Sequence, residues 1–174
     1  MEIGDVAASA IPMLFHTVLG SCVSVCMRDS VSGVAGMNHI LVPGQLGACE
    51  QSTRRGVQAM ELLINAMMKL GGDRRRFVAK AFGGANVLAG FQTPTVGELN
   101  ARFVREFLNT DKIPLLAERM GGTQAVRVTF HTFTGRACVY TVDGSQLPTI
   151  LCDEASRYAL RRSPLSQSEE PVLF

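Results

Sequence analysis

The chain has 174 residues, 47% hydrophobic and 18% charged, which suits a single globular domain with its own core and not a disordered segment. A net charge of +2 is too balanced for the basic footprint of a nucleic-acid binder, and no window approaches the roughly eighteen consecutive apolar residues of a membrane span. Five cysteines without a C-x-x-C pair, and an N-terminus lacking a basic stretch ahead of an apolar segment, argue against a disulfide scaffold, a structural zinc site or secretion; the expectation is a cytoplasmic protein with free thiols.

Residues 13–19, 21–28 and 33–42 are rich in β-branched and apolar side chains and read as strands. Asp29-Ser30-Val31-Ser32-Gly33 supplies turn residues between the last two, predicting a hairpin. A helix follows from Ser52 or Thr53, with Val57, Met60, Ile64, Met67 and Leu70 on one stripe, and Gly71-Gly72 ends it. The run Asp73-Arg74-Arg75-Arg76 reads as a solvated helix end and not as a phosphate contact. Residues 76–82 predict another strand, and the turn Gly83-Gly84-Ala85-Asn86 after it lacks the spacing of either phosphate-binding glycine motif. Thr95 and Glu98 form the T-x-x-E capping-box pattern of a second helix, with Leu99, Phe103 and Phe107 as its apolar face. Beyond Pro114, "PLLAER", "QAVRVTFHT" and "RACVYTV" predict three more strands. This order suggests an α+β class in layers, with mostly antiparallel strands and two main helices. Residues 144–174 show little periodicity and read as a loosely ordered tail behind a domain of residues 1–143.

The hairpin has a chemical consequence. With a loop of residues 29–32, Arg28 faces Gly33 and Cys22 faces His39, so a thiol and an imidazole share a face with Cβ atoms about 4.5–5.5 Å apart. With a five-residue loop Ile40 would face Cys22, and His39 would turn to the other face. Cys22, Ser24, Cys26 and Arg28 line the more polar side of the strand, where a substrate is expected to arrive, and Val23, Val25 and Met27 the apolar side. Gly20 permits a close backbone approach, and N–H groups at the strand entrance could hold an oxyanion. A cysteine beside a histidine is the arrangement of nucleophilic catalysis, but a free cysteine is also commonly a small buried hydrophobe and a lone histidine a hydrogen-bonded core residue; spacing alone leaves both readings standing. Cys26, Cys49, Cys138 and Cys152 have no histidine near them by this logic and read as packing residues. His131, next to a turn, reads as a local hydrogen-bonding residue.

The segments "HTVLGSCVSVCMRD", "GMNHILVPG", "AKAFGGAN", "VGELN" and "AERMGG", in this order between about residues 3 and 142, resemble the CheD family of bacterial chemoreceptor glutamine deamidases. The resemblance implies a protein-glutamine glutaminase that converts receptor glutamines to glutamate and releases ammonia without a metal or organic cofactor. It implies Cys22 as nucleophile and His39 as general base. The third member would be Thr17, or His16 under the longer spacing found in some relatives. Implied partners are the cytoplasmic helices of methyl-accepting chemotaxis receptors and a CheC-type phosphatase; the alternative reading is a weakly catalytic or non-catalytic regulator that binds the phosphatase or the receptor. The implied fold is a layered α/β sandwich similar to toxin-type cysteine deamidase domains. Ala35, Leu99 and Arg119 depart from the residues common at their positions, which bears on loop geometry and substrate contacts and not on Cys22 or His39.

Overall fold

Alternation of buried and exposed side chains along the strands shows how they sort into two sheets. In the computed structural model, which describes residues 1–41, 49–87 and 94–142, five strands form one sheet in the order β1 (Val6–Ser9), β4 (Ala35–Asn38), β3 (Val23–Asp29), β5 (Phe77–Gly83) and β6 (Leu115–Met120). A second sheet contains β2 (Leu14–Leu19), β7 (Val126–His131) and β8 (Ala137–Thr141) in that order. The pairings are antiparallel except that of β5 with β6. Two helices, α1 (Cys49–Lys69) and α2 (Val96–Thr110), pack on one face of the five-stranded sheet, burying Met60, Leu63, Ile64, Met67, Val104 and Leu108 against Val23, Val25 and Met27. The three-stranded sheet covers the opposite face, where Phe15, Leu19, Val126, Val128 and Phe130 meet Cys22, Cys26 and Met37. The result is the expected layered α/β sandwich: helices, sheet, sheet. No helix among the described residues is long and apolar enough to cross a membrane.

Strand β3 lies at the centre of this stack and is buried on both faces, Ser24 included. The expected division into an apolar side and a substrate-facing polar side is therefore corrected: the second sheet closes over the face that carries Cys22.

The helices follow the expected patterns with shifted details. Thr95 Oγ1 accepts from the Glu98 N–H at 3.3 Å while Glu98 accepts from the Thr95 N–H at 2.8 Å, so the capping box forms. The buried face of α2 is Gly97, Asn100, Ala101, Val104, Phe107 and Leu108, and of the anticipated stripe Leu99-Phe103-Phe107 only Phe107 belongs to it. On α1, Met60, Ile64 and Met67 are fully buried together with Leu63, while Val57 is exposed, as is Leu70 just past the helix end. The basic run does not end a helix: Asp73 caps a single 3-10 turn, Arg74–Arg76. Arg74 then pairs with Glu61 and Asp111, and Arg76 with Asp29 and Asp73. Strand β1, too short to show alternation in the sequence, extends the sheet by pairing with β4. The expected tail falls outside the described residues.

The hairpin of β3 and β4 departs from the expected register for an identifiable reason. Arg28 pairs with Ala35, not Gly33, and the Asp29 N–H donates to the Val34 carbonyl at 2.8 Å, so the four-residue loop is 30–33. Asp29 stays in the strand because its buried carboxylate is consumed on all sides. It accepts from the N–H groups of Val31, Ser32 and Asp73 at 2.9–3.3 Å and from the Arg76 guanidinium at 2.7 Å. The guanidinium and these N–H groups favour the charged form and hold the Asp29 carboxyl far below its ordinary 3.8, outweighing the opposing effect of burial. A depressed folded-state value means stability that is present above pH 3.8 and lost as the pH falls from there through the folded value. Asp29→Asn should destabilise the fold by about 3 kcal/mol. In urea titrations the native protein should weaken steeply below pH 4, and the variant should lack that component of the acid dependence.

Candidate active site

The site is built where the second sheet meets the end of the β3–β4 pair. Along β2, Phe15, Thr17 and Leu19 point inward and Leu14 and His16 point to solvent, as two-residue alternation requires. His16, the alternative third residue, therefore faces away from the core. Thr17, 3% exposed, places Oγ1 2.9 Å from Nδ1 of His39, which is 4% exposed and lies just past β4. The same Oγ1 donates to the carbonyl of Met1 at 2.9 Å.

Cys22 immediately precedes β3. Val23 and Ile40 exchange backbone hydrogen bonds at 2.7 and 2.9 Å, so continuing that register sets Cys22 opposite Leu41 and Ser24 opposite His39. The expected direct Cys22–His39 opposition is thus corrected to a diagonal one. Because the loop moved by one residue on each strand, pairing shifted by two and the face was conserved; both side chains point toward the second sheet, at a diagonal spacing of about 7–8 Å between backbone positions. Around His39 the ladder is stitched by side chains: Asn38 Oδ1 accepts from the Val25 N–H at 2.9 Å, and Ser24 Oγ donates to the Asn38 carbonyl. The Asn38 amide also reaches α1, donating to the Ala59 carbonyl at 3.4 Å.

The turn carrying Cys22 is held by its carbonyls. Gly20 accepts from the Ala85 N–H at 2.8 Å, Ser21 from the Asn100 side chain at 2.8 Å and Cys22 from the Gly84 N–H at 2.7 Å. These contacts need glycine: Gly83 has φ +103°, and a Cβ there would lie 2.3 Å from the Cys22 carbonyl oxygen. Gly97 allows α2 to approach so closely that a Cβ would lie 2.4 Å from the Gly84 oxygen. Asn100 was not anticipated as a site residue, although an amide on the apolar stripe of a helix is a sequence signal that a buried polar partner must exist. Cys22 itself has no exposed surface.

The remaining candidates do not join the site. Cys26 is buried four residues along the same face, and desolvation pushes its thiol far above the ordinary range. His131 ends β7 and its backbone closes the turn to Arg136 and Gly135. Cys138 lies half-buried on β8 at the sheet edge. The side chains of Cys49 and Cys152 lie outside the described residues. Arg119 donates to the Thr141 hydroxyl at 3.0 Å, and Leu99 is half-buried, both remote in sequence from the Cys22 turn. Among the described residues no three His, Cys, Asp or Glu side chains are grouped as metal ligands would be.

Residues 43–141 match the family model described as CheD chemotactic sensory transduction, more than half of the chain. The chain belongs to the CheD family. Its relatives include a protein of Laribacter hongkongensis, 43% identical over 172 residues that span 96% of this chain and 84% of the relative, named "Probable chemoreceptor glutamine deamidase CheD". A protein of Thiobacillus denitrificans with the same name is 47% identical over 140 residues, covering 78% of this chain and 69% of its own length. One from Chromobacterium violaceum, with that name and the suffix 2, is 48% identical over 139 residues with the same two coverages. The CheD model match begins after His39, but the Laribacter alignment leaves too few residues uncovered to omit the stretch from Thr17 to His39.

The carbonyl clamp makes a direct prediction. Asn100→Leu keeps the branched shape of the side chain but strips the Ser21 carbonyl of this donor, which should cost about 1–3 kcal/mol in urea unfolding.

Proposed function

We propose that this chain is a chemoreceptor glutamine deamidase in which Cys22 is the nucleophile, His39 its base and Thr17 the residue that orients the ring. The observation that carries the reading is the 2.9 Å contact between Thr17 Oγ1 and His39 Nδ1, made across the two sheets on the face that Cys22 shares, in a chain 43–48% identical to proteins bearing that name.

The chemistry follows from these positions. His39 takes the Cys22 proton, giving the thiolate, which is the attacking form of a group whose free pKa is about 8.5. Sulfur bonds to the carboxamide carbon of a receptor glutamine and the C=O electron pair moves to oxygen; backbone N–H groups of the Ser21–Cys22 turn are the proposed donors to that oxyanion. As the carbonyl re-forms, the C–N bond breaks and the imidazolium proton leaves with the nitrogen as ammonia. A water that loses a proton to His39 then attacks the thioester carbon, and departure of the thiolate yields glutamate. The product adds a negative charge to a receptor helix, altering repulsion between helices packed side by side. Residues of this chain supply each proton transfer, so the reading calls for no cofactor.

Burial shapes the reaction as well. Because Cys22 has no exposed surface, a glutamine side chain can reach it only if the surroundings of the turn open. A small free amide has little binding energy with which to drive such an opening, whereas a receptor helix has a large contact surface. This favours a protein substrate over free glutamine. A CheC-type phosphatase, as a second protein partner, belongs to the same proposal through the family resemblance.

Incubation with a receptor cytoplasmic fragment should raise the mass of specific glutamine peptides by roughly one dalton and release ammonia. Cys22→Ala should abolish both while leaving the unfolding free energy from urea titration within about 1 kcal/mol of the native value, and His39→Gln should slow the reaction at least about a hundredfold. Unchanged deamidation by the Cys22→Ala protein would refute the assignment. Receptor or phosphatase binding by a native protein that releases no ammonia would favour the regulator reading instead.

A further inference from the structure

Thr17 Oγ1 touches two groups, and only one arrangement of protons satisfies both. It lies 2.9 Å from the Met1 carbonyl oxygen and 2.9 Å from His39 Nδ1. A hydroxyl has a single proton, and a carbonyl oxygen can only accept. The hydroxyl proton is therefore committed to Met1, and Oγ1 presents a lone pair to the ring. Nδ1 must then carry hydrogen, which leaves Nε2 as the basic nitrogen of the neutral imidazole.

We propose that Met1 is a positioning residue whose main-chain carbonyl, acting through Thr17, selects the Nδ1–H tautomer of His39. Its catalytic consequence rests on the function proposed above. Without this carbonyl, the Thr17 hydroxyl could turn its proton toward Nδ1. That would favour hydrogen on Nε2, the tautomer whose Nε2 cannot take up the thiol proton.

The segment that delivers the carbonyl also frames the histidine backbone, so the two are placed by one piece of chain. Gly4 donates to the His39 carbonyl at 2.7 Å, and the His39 N–H donates to the Asp5 carbonyl at 3.0 Å. The turn between them closes through the Asp5 N–H and the Glu2 carbonyl at 3.0 Å, with Gly4 at φ +87°. Ile3 is buried in the core between the sheets, and the Met1 side chain packs against the same cluster. Residues 1–5 thus form a bracket anchored in the core at Ile3, tied to the His39 backbone at Gly4 and Asp5, and ending on the Thr17 hydroxyl at Met1.

Ring-nitrogen NMR tests the proposal directly. The chain has three histidines, and His39→Gln identifies the His39 signals by their loss. At a pH where the rings are neutral, long-range proton–nitrogen correlations of the full chain should show a protonated Nδ1 and an unprotonated Nε2 for His39. Hydrogen on Nε2 in the native protein would overturn the proposal without recourse to any variant. A chain begun at Gly4 should shift His39 toward the Nε2–H form, and Thr17→Ser, which keeps the hydroxyl, should not. An unshifted His39 in the folded truncated chain would equally overturn it. Should truncation prevent folding, Ile3→Ala, which loosens the anchor within the full chain, takes its place with the same expected direction. Turnover of the receptor fragment should fall about tenfold on truncation, the value of one hydrogen bond, and truncation should add nothing in a Thr17→Val background. A tautomer that shifts as expected in a protein without deamidase activity would overturn the proposed function and leave the tautomer assignment standing.

Discussion

A threonine hydroxyl on one sheet and an imidazole at the end of a strand of the other, in hydrogen-bond contact, tie the two sheets together inside their apolar interface. What lies between the sheets is mostly apolar packing of Phe15, Leu19, Met37, Val128 and Phe130. A polar pair in such a layer is tolerated only when its groups satisfy one another, because an unmade hydrogen bond in an apolar interior costs more than a made one contributes. The contact therefore constrains the docking of the sheets as well as the ring. A sliding of β2 by one residue would replace Thr17 with Val18 or His16 and turn every inward side chain of that strand outward.

A second constraint acts from the helical side. The Cys22 turn is not held by the regular β3 ladder but by carbonyl contacts to the Gly84 and Ala85 N–H groups and to Asn100. For those donors to arrive, α2 must approach the 83–85 turn with backbone nearly touching backbone, which Gly97 and Gly84 permit. The sulfur is thus fixed by the helix layer and the imidazole by the second sheet, and the central sheet is the common frame. Packing on both sides of β3 determines the relative placement of the two groups far more firmly than either strand pairing would alone.

Much of this was legible in the residues. The capping box at Thr95, the breaks at Gly71-Gly72 and the order of strands and helices follow from local chemistry and appear in the structure. The hairpin was read with the right loop length but one residue early, because Asp29 looks like a turn residue and its burial depends on Arg76 and Asp73, more than forty positions away. That error conserved the face of Cys22 and His39, since a two-residue change of pairing keeps alternation intact. The burial of the Cys22 face was not legible: the polar residues Ser24 and Arg28 suggested solvent, whereas the covering sheet is assembled from β2, β7 and β8, widely separated in sequence. Asn100 was passed over for a similar reason, its partner being the Ser21 carbonyl, 79 residues earlier. Of the sites, local sequence spacing indicated which residues share a face, and only the tertiary layers indicated what surrounds them.

The lack of any exposed surface on Cys22 bears on how this thiol survives in an oxidising insult. Sulfenic acid formation and mixed disulfides require peroxide or another thiol to reach the sulfur, and susceptibility follows exposure as well as thiolate character. A cysteine sealed between two sheets is shielded while the protein is at rest and becomes vulnerable only when its cover parts. Oxidation of Cys22 would track the time that cover spends open, so damage would accumulate with opening and not with age.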